Sequence, residues 1–96
     1  MQRVTLLFKC KPGMGTVLLN AMPTALVDTR AFDGCVSVET FVDSDNPDAV
    51  LLDEQWESRV QQEAYLAWRG EGGLDARLEP VLAEPIEMRY LDAHPA

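Results

Sequence analysis

Glu54 and Trp56 stand two residues apart in "LLDEQWESRVQQEAYLAWRG", Leu51 to Gly70, with Tyr65, Trp68 and Arg69 shortly behind them. Side chains two apart in a strand share a face, so a carboxylate and an indole point the same way. Tyr65 and Trp68 are neighbours at i and i+3 on the helix that follows, and Arg69 lies one turn from Tyr65. Flat rings hold a flat substrate, a buried carboxylate is a strengthened base, and a guanidinium stabilises an anion. The set suits an aromatic-lined pocket with a few convergent polar groups. Arg89, alternating with Glu87 and Leu91 near the C-terminus, is a further candidate for holding an anion. The expected catalytic group is Glu54, Trp56, Tyr65 and Arg89, and the expected substrate-binding group is Trp68, Arg69, Met22 and Phe8. In the competing view both tryptophans are core plugs and Arg89 is a cross-strand partner.

Other chemistries find no support. His94 is the only histidine and sits in the tail, so no triad or two-histidine metal site can be built, and no metal or cofactor is expected. "GMG" after the first strand lacks the third glycine of a dinucleotide loop, since that position is Leu18. Asp43, Asp45 and Asp48 suggest a calcium loop, but Pro47 and the missing glycine and distal glutamate make a solvated turn the better expectation. Acidic residues outnumber basic ones 16 to 8, which disfavours nucleic acid as a partner. No apolar run is long enough for a membrane span, nothing resembles a signal peptide, and a cytoplasmic location is expected.

The elements that must position these residues follow from periodicity. Val4, Leu6, Phe8 and Cys10 alternate in a first strand. Met14, Val17, Leu18, Ala21, Met22, Ala25 and Leu26 then recur with helical spacing, and Pro23 is expected to kink or break that helix. A strand from about Cys35 to Phe41, a loop "VDSDNPD" and a strand from about Ala49 to Glu57 make a hairpin. Ser58 and Gln61 form a capping box for a second helix whose apolar face is expected to be Val60, Ala64, Ala67 and Trp68. Leu74, Leu78, Val81 and Leu82 suggest a short helical piece, and Ile86 to Leu91 a last strand. The order is β-α-β-β-α-β, a single α+β domain of the ferredoxin-like class over residues 1–96, with 92–96 as a frayed tail. The usual strand order of that class puts the first strand between the third and fourth. Cys10 and Cys35 then lie about 9–10 Å apart, too far for a disulfide, and free thiols are expected.

The stretch from Asp28 to Arg69 resembles the antibiotic biosynthesis monooxygenase family through Thr29-Arg30, Gly34-Cys35, Pro47, and Glu54-x-Trp56-Glu57-Ser58. The resemblance implies a ferredoxin-like fold whose antiparallel sheets pack in pairs, as a homodimer forming an α+β barrel, with a pocket in each subunit between sheet and helices. It implies a cofactor-independent monooxygenase acting on a small aromatic, quinol or polyketide-type substrate. The alternatives are a dimeric small-molecule-binding or accessory module of the same fold, or an isomerase, cyclase or lyase using the same pocket. Members of the family often carry histidine at the place of Trp68, and haem-degrading relatives use it as an iron ligand. Indole cannot ligate iron, so the resemblance does not extend to haem. The mixed outer faces, Arg3, Thr5, Leu7 and Lys9 on the first strand and Leu51, Asp53, Gln55 and Glu57 on the third, suit a sheet covered by a partner.

Overall fold

Alternation of Val4, Leu6 and Phe8 with partly exposed Thr5, Leu7 and Lys9 makes β1 (Gln2–Lys9) in the computed structural model, which describes residues 1–96. α1 (Met14–Ala31) follows, burying Gly15, Leu18, Met22, Leu26 and Thr29 along one stripe. Its start is held from elsewhere in the chain: the Asp48 carboxylate accepts from the Gly13 N–H at 3.2 Å and the Gly15 N–H at 2.9 Å. A carboxylate at that end complements the helix dipole. Gly15 is required there, because a Cβ would stand 2.0 Å from the Pro47 carbonyl oxygen.

The expected break at Pro23 does not occur, and the helix runs unbroken through it. The proline ring is exposed, and its missing N–H leaves only the Leu19 carbonyl without its helical donor. The stripe Leu18, Met22 and Leu26 is buried on both sides of the proline, which is enough to carry the helix across.

β2 (Cys35–Asp43) and β3 (Asn46–Trp56) pair through a turn much shorter than the expected loop. Asp43 Oδ1 accepts from the Asp45 N–H at 2.8 Å and Asn46 Oδ1 from the Asp48 N–H at 3.0 Å, so these side chains fold the turn. Pairing jumps from Val42 with Val50 to Asp43 with Asn46, and Pro47 sits in the irregular stretch between, where no ladder N–H is needed.

α2 (Arg59–Glu71) starts as expected, with Ser58 Oγ accepting from the Gln61 N–H at 3.3 Å. Its buried face is a correction. Gln62 and Tyr65 face inward with Leu66 and Arg69 partly covered, while Val60 is 73% and Trp68 44% exposed. Tyrosine and leucine bury more apolar area than alanines, and the polar tips find partners, Gln62 Oε1 accepting from Tyr90 Oη at 2.6 Å. α3 (Leu74–Leu78) and β4 (Glu87–Leu91) complete the chain, and residues 92–96 carry no regular structure.

The sheet is antiparallel throughout in the order β2-β3-β1-β4, with β1 between β3 and β4. The helices cover one face, and the core lies between them and Val4, Leu6, Phe8, Val50, Leu52 and Trp56. Cys10 and Cys35 are free thiols, and burial pushes both above the ordinary thiol pKa, so neither is an activated nucleophile.

Because α1 tolerates Pro23 rather than using it, Pro23→Ala is expected to raise stability by about 1–3 kcal/mol with unchanged circular dichroism, measured by urea denaturation. A fall in stability would show that the proline shapes the helix.

Candidate active site

Glu54 lies near the C-terminal end of β3, paired with Val4 on one side and Val38 on the other, and faces the helices. It is 3% exposed. Oε1 accepts from Trp56 Nε1 at 2.9 Å. Oε2 accepts no hydrogen bond within the protein, yet no side-chain oxygen of the chain is both fully occluded and unpartnered. This second oxygen therefore keeps some accessibility, and Glu54 borders an open space. Burial pushes the Glu54 carboxyl above the usual range, the charge of Asp53 adds to that, and the Trp56 N–H works against it.

That space has two adjoining lobes. An outer lobe of about 310 Å³ lies between the sheet, α1 and α3. Its lining is hydrophobic, with Phe8 and Met22 among it, apart from Thr29, Arg69 and Arg77. An inner lobe of about 270 Å³ is bordered by Glu54 and Asp75 and shares Phe8, Thr29, Tyr65 and Arg69 with the first. An apolar hollow with a few converging polar groups is the usual form of a small-molecule site, and these volumes fall near the small end of the range.

Tyr65, Thr29 and Arg69 form a latch between α1 and α2. Tyr65 Oη and Thr29 Oγ1 share a hydrogen bond of 2.5 Å. Arg69 donates from Nε to Tyr65 Oη at 2.7 Å and from Nη2 to Thr29 Oγ1 at 3.2 Å, and also to the Ala25 carbonyl. Thr29 is buried beneath this cluster.

The remaining candidates fall outside the two lobes. Trp56 is 0% exposed and borders neither lobe. It supports the site from within the core, with its ring centroid 5.2 Å from Tyr65 and 6.3 Å from Phe32. Trp68 lies over Phe32 at 5.5 Å and lines a shallow outer depression with Asp28, Arg69 and Arg77. Arg89 is on the opposite face of the sheet beside Thr5, which corrects its placement among the pocket groups. Its neighbours Met88 and Tyr90 both meet Gln62 on the helical side, and alternation sends Arg89 the other way.

Four structurally important residues were not candidates in the sequence. Thr29 was legible, being the polar member of the stripe Leu18, Met22, Leu26, Thr29 on α1. Phe32, at the meeting point of Trp56, Tyr65 and Trp68, follows the helix end with no periodic signal. Gln62 could have been found only from its partners on β4, and Arg77 sits on a five-residue helix too short to show a face.

The whole chain finds its shape among solved structures. An antibiotic biosynthesis monooxygenase structure superposes with a TM-score of 0.85 at 21% identity, covering 99% of this chain and 100% of that one. PA3566 from Pseudomonas aeruginosa gives 0.83 at 16% identity, with 98% and 94% covered. Rv0793 from Mycobacterium tuberculosis gives 0.75 at 23%, with 99% and 96% covered. At such identities the likeness is one of fold. No functionally curated protein matches the sequence. The sequence pattern of one family, antibiotic biosynthesis monooxygenase, matches residues 1–76, a span that holds β1 through the start of α3 and every residue of the latch. The chain belongs to that antibiotic biosynthesis monooxygenase family.

Proposed function

We propose that the two-lobed cavity binds a small phenol or hydroquinone and that the protein oxygenates it with molecular oxygen, Glu54 serving as general base. The observation that carries this is the buried Glu54 carboxylate at the border of a largely apolar cavity, with one oxygen held by Trp56 and the other free of any hydrogen bond within the protein. Glu54 takes the phenolic proton, and the phenolate passes one electron to oxygen, giving a substrate radical and superoxide. Their recombination forms a carbon–oxygen bond, and the proton held on Glu54 returns to make the hydroperoxide. Loss of the proton from that carbon with cleavage of the O–O bond gives a carbonyl and water. Phe8, Met22 and Tyr65 hold the ring, while Arg69 and its latch set the width of the site and place positive charge near the developing anion.

A second function has its own support. Tyr65 and Arg69 spend their hydrogen bonds on each other, on Thr29 and on Ala25, so the cavity also suits a binding module without oxygen chemistry. Oxygen uptake by metal-stripped protein with hydroquinones and naphthols separates the two.

The uncovered sheet face is proposed to seat a second copy, making a homodimer. Leu7, Leu51 and Phe41 lie side by side there, and Phe41 is exposed. Charged residues flank them, as in the Arg3 and Asp53 pair at 3.0 Å. No helix is long and apolar enough to cross a membrane, and the two free thiols suit the reducing cytoplasm.

As a base Glu54 must be ionised, so turnover is expected to rise with pH through an apparent pKa above the ordinary value of about 4.3. Glu54→Gln should lose about 10²–10⁴-fold in rate and the acid limb with it. Its stability gives a second readout. A raised folded-state pKa means that protonation favours the native state, so the stability due to the neutral carboxyl is present at low pH and lost as pH rises through that pKa. The variant is therefore expected to be more stable than the parent above that pKa and similar to it in acid. Equal turnover in the variant would remove Glu54 from the chemistry.

Trp56→Phe deletes the one N–H that holds Glu54 Oε1. The carboxyl pKa should move further upward, seen as a shift of the carboxyl stretch titration in infrared difference spectra and of the acid limb of the rate profile. An unchanged titration would mean that the indole only fills space.

For the dimer, sedimentation should report twice the chain mass of 10.7 kDa, and Leu51→Glu should give the monomer. A monomeric parent would overturn the proposed interface.

A further inference from the structure

The charges around the cavity are arranged against the trend of the chain. Acidic residues outnumber basic ones 16 to 8, yet the only charged residues bordering the outer lobe are Arg69 and Arg77. Arg3 pairs with Asp53, Lys9 with Glu84 and Glu87, and Arg59 with Glu63, while Lys11, Arg30 and Arg89, away from the cavity, pair with no carboxylate. Neither Arg69 nor Arg77 has a carboxylate within 4.0 Å. Arg69 is occupied by the latch, whereas Arg77 has a single side-chain hydrogen bond, from Nη1 to the Gly72 carbonyl at 2.7 Å. A guanidinium carries five N–H donors, so most of those on Arg77 are uncommitted. Asp28 and Glu71 border the outer depression and would repel an anion lying on the surface. Both are absent from the lining of the outer lobe, where no carboxylate stands beside the arginines; the carboxylates of the cavity, Glu54 and Asp75, border the inner lobe.

We infer that the substrate is an amphipathic aromatic acid, with its ring system in the apolar lobe, its phenolic end toward Glu54 and a carboxylate held by Arg77 at the cavity mouth. Arg77 is then a specificity-determining residue, and its planar fork matches a carboxylate. The inference rests on the cavity being the substrate site and adds the class of molecule that enters it.

The test is isothermal titration calorimetry of the intact protein with 2-naphthol and with 6-hydroxy-2-naphthoic acid, which differ by the carboxylate. The acid is expected to bind about tenfold tighter at low salt, a gain that shrinks as salt is added. Arg77→Gln should abolish that gain and leave naphthol affinity within about twofold, while Arg77→Lys retains part of it. Ala21→Phe, which fills the outer lobe from an exposed position on α1, should weaken both ligands. An acid that binds no tighter than the naphthol, or a gain kept in Arg77→Gln, overturns the inference. Naphthol binding that Ala21→Phe abolishes would in those cases leave the cavity reading standing. A carboxylate gain that survives Ala21→Phe places the anion outside the cavity and also overturns the inference. If neither compound binds, both the inference and the cavity reading fall.

Discussion

An ionisable carboxyl placed within a hydrophobic core must be neutral, paired or in contact with something that replaces water, and Glu54 is held there by one indole N–H. Much of the local architecture follows from that. The indole must be rigid for the bond to persist, and Trp56 is fixed by full burial between Phe32 and Tyr65. Tyr65 must stay in place to keep water from Trp56, and its hydroxyl is fastened to Thr29 and Arg69. Each layer stabilises the one beneath it, so a carboxyl with a raised pKa is maintained by a shell of aromatic rings and an arginine two layers away.

The same shell creates the cavity. α1 and α2 both pack on the inner face of the sheet, and the latch from Thr29 to Tyr65 and Arg69 ties them at one end. At the other end of α1, Asp48 receives the N–H groups of Gly13 and Gly15 and so anchors the helix to β3. Fixed at both ends, α1 cannot settle further onto Phe8 and Leu52, and the short α3 contributes Leu74, Asp75, Arg77 and Leu78 to close the space. Close packing is the default for protein interiors, so a hollow this size in a small domain needs such struts.

How far this was legible in the sequence depended on whether local pattern or a distant partner decided each orientation. The strands and the shared face of Glu54 and Trp56 follow from period-two alternation, which burial of either residue suffices to orient, and the strand order follows from the usual arrangement of the β-α-β-β-α-β class. Arg89 obeys the same alternation, but Met88 and Tyr90 face inward because Gln62 waits for them on α2, and nothing near Arg89 says so. On α2 itself the apolar residues lie on two sides, and the buried side was chosen by Tyr65 and Gln62, whose polar tips find partners in α1 and β4. Hydrophobic pattern alone favoured Val60 and Trp68, since burial of a polar side chain is justified only by partners that local pattern does not show. The shortened hairpin turn likewise depended on Asp43 and Asn46 bonding to their own backbone.

The cavity that results is polarised at its ends. Glu54 and Asp75 border the inner lobe only, Arg77 the outer lobe only, and Arg69 both, while Phe8, Leu26 and Leu52, common to the two lobes, offer no side-chain hydrogen bonds. A flat molecule with one acidic proton and one anionic end fits such a field in a single direction, because reversal would set its anion against Glu54 and leave the arginines facing an apolar ring. Orientation is then fixed by groups remote from the reacting atoms, and interactions at the mouth contribute to placing the proton beside the base. As the proposed base, Glu54 has neither arginine among the charges that shift its carboxyl, which burial raises. In the proposed reaction Arg77 holds the anion and Glu54 takes the proton from opposite ends of one small cavity.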